Sequence, residues 1–249
     1  MIQDNELEHL LKVAMTEPGR RPEFYRSLLE ADVWIVVGGT ASGNRTIPAG
    51  AEIDLVQWQR GDGVWIVPFF SSIGTARQGA PFETNIACVT GREFFLFTRG
   101  VPSVLNPNCE FGREFAPHEI EALLEHGSLV PPDCEILEES RDVYLEPLAE
   151  LPTMVDSLRV LYATRPGVRA AYIVRARYAS EPTRPMLLVG IETPSSEVAI
   201  LEDTAAVVRD VCGPDEFVDA MPLNPRDGAI GQHIAEMTAP FYQRVDSLC

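Results

Sequence analysis

A chain of 249 residues with 45% hydrophobic and 23% charged side chains has a globular composition, which excludes disordered, collagen-like and coiled-coil classes and leaves room for two domains of roughly 100–200 residues each. At this length a packed core needs no disulfide or metal staple. Acidic residues number 37 against 20 basic, and the net charge of −17 disfavours nucleic-acid backbones and anionic membrane surfaces as partners.

In chain order, Leu7, Leu10, Leu11 and Ala14 recur at helical spacing and predict a helix from Asn5 to Met15, with Asn5 and Glu8 as a capping-box-like start. Glu17-Pro18-Gly19 stops it, and Pro22 suits the first turn of a second helix whose inner face is Phe24, Leu28 and Leu29. Val33–Val37 and Val64–Phe70 are short apolar runs that read as buried strands. Ile53, Leu55 and Gln57-Trp58 suggest a strand between them, with Gly61-Asp62-Gly63 as its turn. Gly91–Arg99 favours a short helix before a strand at Val101–Leu105, and Pro117, Glu119, Ile120, Leu123 and Leu124 define a helix ending near Gly127.

The stretch from Gly127 to Asp133, with Pro131 and Pro132, is the most linker-like in the middle of the chain and sets expected domains of residues 1–132 and 133–249. The first carries 17 acidic and 10 basic residues (net −7) and the second 20 and 10 (net −10), so neither is a basic arm. Beyond the boundary, strands are expected at Cys134–Leu137 and Val143–Leu145, and a helix from Pro152 to about Tyr162 with Val155, Leu158 and Tyr162 inward. Val168–Tyr178 alternates as a strand with Val168, Ala170, Tyr172, Val174, Ala176 and Tyr178 on a core face and Arg169, Arg175 and Arg177 on a wet face. Met186–Ile191 should pair with it antiparallel, followed by a helix over Ser196–Val211, a last strand over Glu216–Pro222 and a last helix over Gly228–Met237. The fold class is α/β (α+β): two mixed domains, each a sheet packed with helices.

Signatures of chemistry are weak. Gly38 to Gly43 has the spacing of a phosphate loop, but Asn44 and Arg45 stand where Lys and Ser or Thr are required. His233 and Glu236 share a helix face while His9, His118 and His126 show no partner spacing, so no metal and no cofactor is expected. Ser71 and Ser72 follow a strand without a nucleophile elbow and suit a helix cap. The five cysteines, Cys88, Cys109, Cys134, Cys212 and Cys249, form neither CxxC nor paired spacings, which suggests reduced thiols. The acidic N-terminal residues do not resemble a signal peptide, and no apolar run approaches the roughly 20 residues of a membrane span, so a cytoplasmic location is expected.

One ordered set of segments resembles a known family. Asn5-Glu-Leu-Glu with Leu10-Leu11, Thr16-Glu17-Pro18 with Arg21-Pro22-Glu23-Phe24, Leu28-Leu29-Glu30 with Val33-Trp34, Asp54-Leu55 with Trp58, and Ile66-Val-Pro68-Phe69-Phe70-Ser71-Ser72 are similar to the N-terminal domain of the enhanced serine sensitivity (SseB) family. Leu105-Asn106-Pro107, Glu114-Phe115 with Pro117 and Glu119-Ile120, Met154-Val-Asp156-Ser157-Leu158, Leu187-Leu-Val-Gly190-Ile-Glu192 and Ala239-Pro240-Phe241-Tyr242-Gln243-Arg244 continue the likeness into its C-terminal domain. The resemblance implies a bacterial cytoplasmic protein of two α/β domains, connected with serine sensitivity, and brings no catalytic residues.

Two functions are therefore expected as alternatives. One is a non-catalytic adaptor or regulator of serine-linked amino-acid or sulfur metabolism that binds a protein. Phe241, Tyr242 and Arg244 are then the candidate partner-binding residues, on a segment that after Pro240 must either dock on the body or meet a partner. The other is a small-ligand binder or enzyme with a pocket around Ser71, Asn106 and His118 at strand ends.

Overall fold

The structure, a computed structural model, describes residues 4–38, 45–46, 54–80, 84–129, 143–178, 185–193, 198–213, 216–223 and 229–245. The predicted strand at Cys134–Leu137, the loop from residue 39 to 44 and residues 130–133 of the expected Gly127–Asp133 linker lie outside them. The chain divides into two compact units, one of residues 1–16 and 23–128 and the other of 17–22 and 129–249.

In the first unit, helices α1 (Asp4–Thr16) and α2 (Arg21–Glu30) are followed by β1 (Asp32–Val37). β2 (Arg45–Thr46), β3 (Trp58–Gln59) and β4 (Trp65–Phe70) come next, then α3 (Ile73–Gly79), β5 (Asn85–Thr90) and α4 (Gly91–Phe97). β6 (Ser103–Leu105), β7 (Arg113–Phe115) and α5 (Pro117–His126) complete the unit. The strand order is β2-β5-β1-β4-β6-β7, with β3 paired to β4. β1 is central and antiparallel to both β4 and β5, while β4 and β6 are parallel neighbours. The sheet is therefore mixed, and the carboxyl ends of β4, β5 and β6 lie together at one end.

Alternation along the strands gives each side chain a face. Trp34, Val36, Phe70 and Ile86 pack with Ala76 of α3 and with Trp58 on one face. Phe69 points to the other, where it stacks on Phe94 with ring centroids 4.3 Å apart and meets Phe95 and Phe115 at 5.7 and 6.1 Å. Leu7, Leu11, Phe24, Leu28, Leu29, Ile120 and Leu123, at the apolar positions of three helices, are all buried. The strand β5 carries no period-two signal, because Ile86 is buried on one face and Ala87 on the other. The capping expectation for Asn5 concerns a side chain outside the described residues, and Glu8 accepts hydrogen bonds from serines instead.

The second unit holds β8 (Val143–Glu146), α6 (Met154–Ala163), β9 (Ala170–Tyr178), β10 (Met186–Glu192), α7 (Val198–Val211), β11 (Val218–Leu223), α8 (Ala229–Met237) and β12 (Tyr242–Gln243). β10 is antiparallel to β9, as the sequence suggests, and β11 runs parallel to β10. Two expectations are corrected. The predicted wet face of β9 is covered in its middle: Ala171 and Ile173 are buried with Val189 and Ile191 beneath α6 and α7, while Arg169, just before the strand, and Arg175 are exposed and Arg177 is half-buried. Tyr172, Val174 and Ala176 face Ile234 of α8 on the opposite side, so the sheet is covered by helices on both faces. Nor is the strand at 218–223 the last, since β12 follows it and pairs with β9.

Two glycines mark places where backbones approach. A Cβ on Gly19, in the 3₁₀ turn Pro18–Arg20, would stand 2.2 Å from the Ser157 carbonyl oxygen of α6. This contact is why the connector between α1 and α2 belongs to the second unit. A Cβ on Gly91 would stand 1.9 Å from the Leu28 carbonyl oxygen, a backbone atom that cannot rotate away. Gly91→Ala should therefore destabilise the first unit by about 3 kcal/mol or more, read as a lowered midpoint in denaturant melts. Gly61, with nothing within 4 Å of its Cβ position, should accept alanine with little change.

The turn between β3 and β4 yields a pH prediction. The Arg60 guanidinium, and then the Val64 N–H, hold the Asp62 carboxyl down from 3.8 to about 2. A depressed folded pKa means that the contact contributes fully above 3.8 and is lost as pH falls through about 2. NMR titration of the Asp62 carboxyl carbon should give the lower midpoint, and a midpoint at 3.8 would show the contact to be absent.

Candidate functional site

The buried run Val67 to Phe70 of β4 delivers Ser71 and Ser72 to the carboxyl end of the first sheet. Ser72 has extended backbone angles and caps α3: its hydroxyl accepts from the Thr75 N–H (3.1 Å), and Thr75 Oγ1 accepts from the Ser72 N–H (3.0 Å). This is a capping box with threonine in the place usually held by Glu or Gln. It agrees with the expectation that the serines precede a helix.

Asn106 follows β6 at the same end. Its N–H donates to the Phe69 carbonyl (2.8 Å), which carries the β4–β6 pairing one step further. Asn106 sits at φ 51°, a left-handed conformation that asparagine tolerates better than most residues. That turn aims its amide at Ser71. Oδ1 accepts from the Ser71 N–H (2.9 Å), and Nδ2 donates to Ser71 Oγ (2.9 Å). The hydroxyls of Ser71 and Ser72 both donate to Glu8 Oε1 of α1, each at 3.1 Å. Ser71, Ser72 and Asn106 are all buried. One helical turn beyond Glu8, Lys12 Nζ lies 4.8 Å from the centroid of the Phe111 ring, so the loop after Asn106 is also tied to α1.

Of the three residues expected to share a pocket, the structure brings together Ser71 and Asn106 but not His118. β7 runs antiparallel to β6 and ends at Phe115, opposite Ser103. The helix that begins at Pro117 thus starts at the far end of the sheet, and His118 is exposed in its first turn. Glu8 was not singled out in the sequence as a partner of the serines; its position on the same helix as the buried Leu7 and Leu11 was the available signal.

A serine nucleophile needs a base placed to take its proton. Here one carboxylate oxygen receives both hydroxyls, and Ser71 Oγ is further engaged by the Asn106 amide. The nearby Cys109 thiol is pushed up by burial and by the Glu8 charge, away from the reactive thiolate. In the second unit, Cys212 is pushed up to about 11, first by burial and then by Glu216. The arrangement is suited to holding α1, α3 and the loop after β6 in register. Among the described residues no group of three or more His, Cys, Asp or Glu side chains is placed to hold a metal ion. His233 is exposed, and Glu236 accepts from Gln232 (2.9 Å).

The candidate partner-binding residues Phe241, Tyr242 and Arg244 lie against the second unit. The Phe241 N–H donates to the Ala171 carbonyl (2.8 Å) and the Arg244 N–H to the Arg169 carbonyl (2.8 Å), which pairs β12 with β9. The Phe241 ring is 7% exposed and 6.1 Å from the ring of Tyr162. Tyr242 donates its hydroxyl to the Tyr162 carbonyl (3.1 Å). The Arg244 guanidinium donates to the carbonyls of Tyr162 (3.1 Å), Arg165 (2.5 Å) and Val168 (3.0 Å). The Tyr162 and Arg165 carbonyls also accept from the Arg165 N–H (3.1 Å) and the Val168 N–H (3.0 Å), so Arg244 adds a charged donor to carbonyls in and after the last turn of α6 and ties that turn to a distant part of the chain.

Removing either polar anchor should cost stability. Asn106→Ala leaves the buried Ser71 N–H without its acceptor and should cost about 1–3 kcal/mol, and Arg244→Ala should cost a similar amount. Chemical denaturation of the full chain, followed by probes in each unit, checks both. A change within experimental error for either variant would show that its network is not needed.

Comparison with known proteins matches residues 7–122 to the SseB protein N-terminal domain and residues 139–244 to the SseB protein C-terminal domain. Two relatives, each called Protein SseB, come from Escherichia coli (strain K12) and Shigella flexneri. Both are 36% identical over 241 residues, covering 96% of this chain and 92% of the relative. No solved structure matches the chain. No helix among the described residues is long and apolar enough to cross a membrane.

Proposed function

The chain belongs to the SseB protein family, and we propose that it works as a non-catalytic binding protein, an adaptor or regulator in the bacterial cytoplasm that acts on serine-linked amino-acid or sulfur metabolism by engaging a protein partner. The observation that carries the non-catalytic reading is the closure of the polar network at the carboxyl end of the first sheet. The strand ends, where α/β sheets commonly place reacting groups, hold serine hydroxyls donated to one carboxylate and an asparagine folded back on them. The serine connection comes from the family resemblance.

The test is purification of the tagged full chain from its own cells at low and high salt, with mass spectrometry of both proteins and metabolites. The expected result is a protein that co-purifies at low salt and is released at high salt. A metabolite retained near one per chain, which also raises the melting temperature when added back, would overturn the proposal in favour of a small-ligand binder or enzyme.

A further inference from the structure

At the end of the first sheet opposite Ser71 and Asn106, four large apolar side chains stand in water. Trp65 opens β4 at 54% exposure after Val64 at 39%, and Leu96 and Phe97 close α4 at 49% and 52%. Topology brings them to the same end. Val67 pairs with Ser103, and its N–H donates to the Pro102 carbonyl (2.9 Å). The turn from Phe97 to that point is closed by the Val101 N–H on the Thr98 carbonyl (3.0 Å). The core does not need these groups, because Phe94 and Phe95 already fill it from the same helix. Exposed aromatic and aliphatic groups gathered at one place mark an interaction surface.

The charges around this end select the partner. Arg60 is bound by Asp62 (2.6 Å) and Glu114 (2.5 Å), and Arg99 faces Glu121 (3.7 Å). Asp54 is exposed where β1 ends, its backbone carbonyl accepting from the Gly38 N–H (2.7 Å). Among the described residues these four carboxylates stand against two guanidiniums, with the Arg113–Glu119 pair (2.9 Å) adding one of each, on a chain whose net charge is −17. That field attracts cations and repels a second copy of the chain.

We infer that the end formed by Val64, Trp65, Leu96 and Phe97 docks a basic segment of a partner protein, with aliphatic or aromatic anchors set between Lys or Arg residues. This rests on the binding-protein reading above and names the surface and chemistry of its partner.

The experiment uses the full chain and three labelled peptides: a Lys/Leu amphipathic helix, its Glu/Leu counterpart, and a Lys/Ser peptide without apolar anchors. Fluorescence anisotropy should show tightest binding by the Lys/Leu peptide, about tenfold or more weaker with the other two, and weakening with salt. The double variant Trp65→Asp, Phe97→Asp should lose about tenfold or more in affinity for the Lys/Leu peptide, while Tyr144→Ala, at a residue 69% exposed in the second unit, should bind as the parent does. Circular dichroism and melting temperature confirm that both variants are folded; if the double variant is not, Trp65→Ser with Phe97→Ser replaces it. The inference is overturned by unchanged binding in the folded variant, by equal binding of the Glu/Leu peptide, by no binding of the Lys/Leu peptide, or by a dimer of the parent chain that the variant abolishes. Any of these leaves the binding-protein reading standing if a protein still co-purifies with the variant, whereas a stoichiometric metabolite removes that reading whatever the peptides do.

Discussion

The packing of Phe69, the last residue but one of β4, organises the first unit. Its ring stacks on Phe94 and meets Phe95 and Phe115, so one side chain ties the central sheet to α4 and to the edge strand β7. Fixing Phe69 fixes what happens on either side of it. Two residues later the chain reaches Ser71 and must turn into α3; four residues earlier Trp65 stands where the sheet begins. The carboxyl end of the sheet and its opposite end are therefore set by the same aromatic core, and a change in that core would disturb both.

The second unit solves its corresponding problem with a charge. The helix α6 lies on the sheet through Val155, Leu158 and Tyr162, and its last carbonyls point toward the region where β9 begins. Phe241 and Tyr242 pack against Tyr162 in that region, and the Tyr242 hydroxyl donates to the Tyr162 carbonyl. Arg244 adds charged donors to the local backbone bonds, and a guanidinium does so better than an ammonium because its fixed fork reaches several oxygens at once. The buried Asp203, paired with Arg165 from the turn after α6, adds a second fixed point on α7. Buried polar groups of this kind are tolerated when each finds a partner.

Much of this was legible in the sequence, and the exceptions have identifiable causes. Helices with a single apolar stripe, such as α1, α2, α5 and α6, announce themselves by period. The strand β5 did not, because both of its faces are buried and its apolar residues do not alternate. Missing the three-residue β7 had the larger consequence. That strand reverses the chain before α5, so His118 begins its helix at the end of the sheet away from Asn106. The sequence could place Ser71 and Asn106 each after a strand but could not show that β4 and β6 are parallel neighbours, which is what brings them within hydrogen-bonding reach. Glu8 was harder still: sharing a helix with the buried Leu7 and Leu11 places it near the core edge but does not say that it faces two serines. The wet face of β9 holds at its arginines but not between them: Ala171 and Ile173 sit between Arg169 and Arg175 in sequence, and helices cover them in space.

The two ends of the first sheet follow opposite physical rules, and the contrast bears on how the protein works. At the carboxyl end the strands finish in polar residues that would compete for water if left open. Glu8, Ser71, Ser72 and Asn106 satisfy one another there, so burying them costs little. A ligand entering that end would have to break hydrogen bonds already made and replace each of them. At the other end the exposed groups are Val64, Trp65, Leu96 and Phe97, which have no such bonds to lose and gain free energy from any surface that removes them from water, at roughly 25 cal/mol for each Å² of apolar area. Their neighbouring arginines already have carboxylate partners, so a partner need not break up unpaired cations to approach, and the acidic balance around them favours one that brings its own positive charge. The asymmetry places the energetic incentive for association at the end of the sheet where the chain begins β4, away from the end where an α/β protein would ordinarily carry its chemistry.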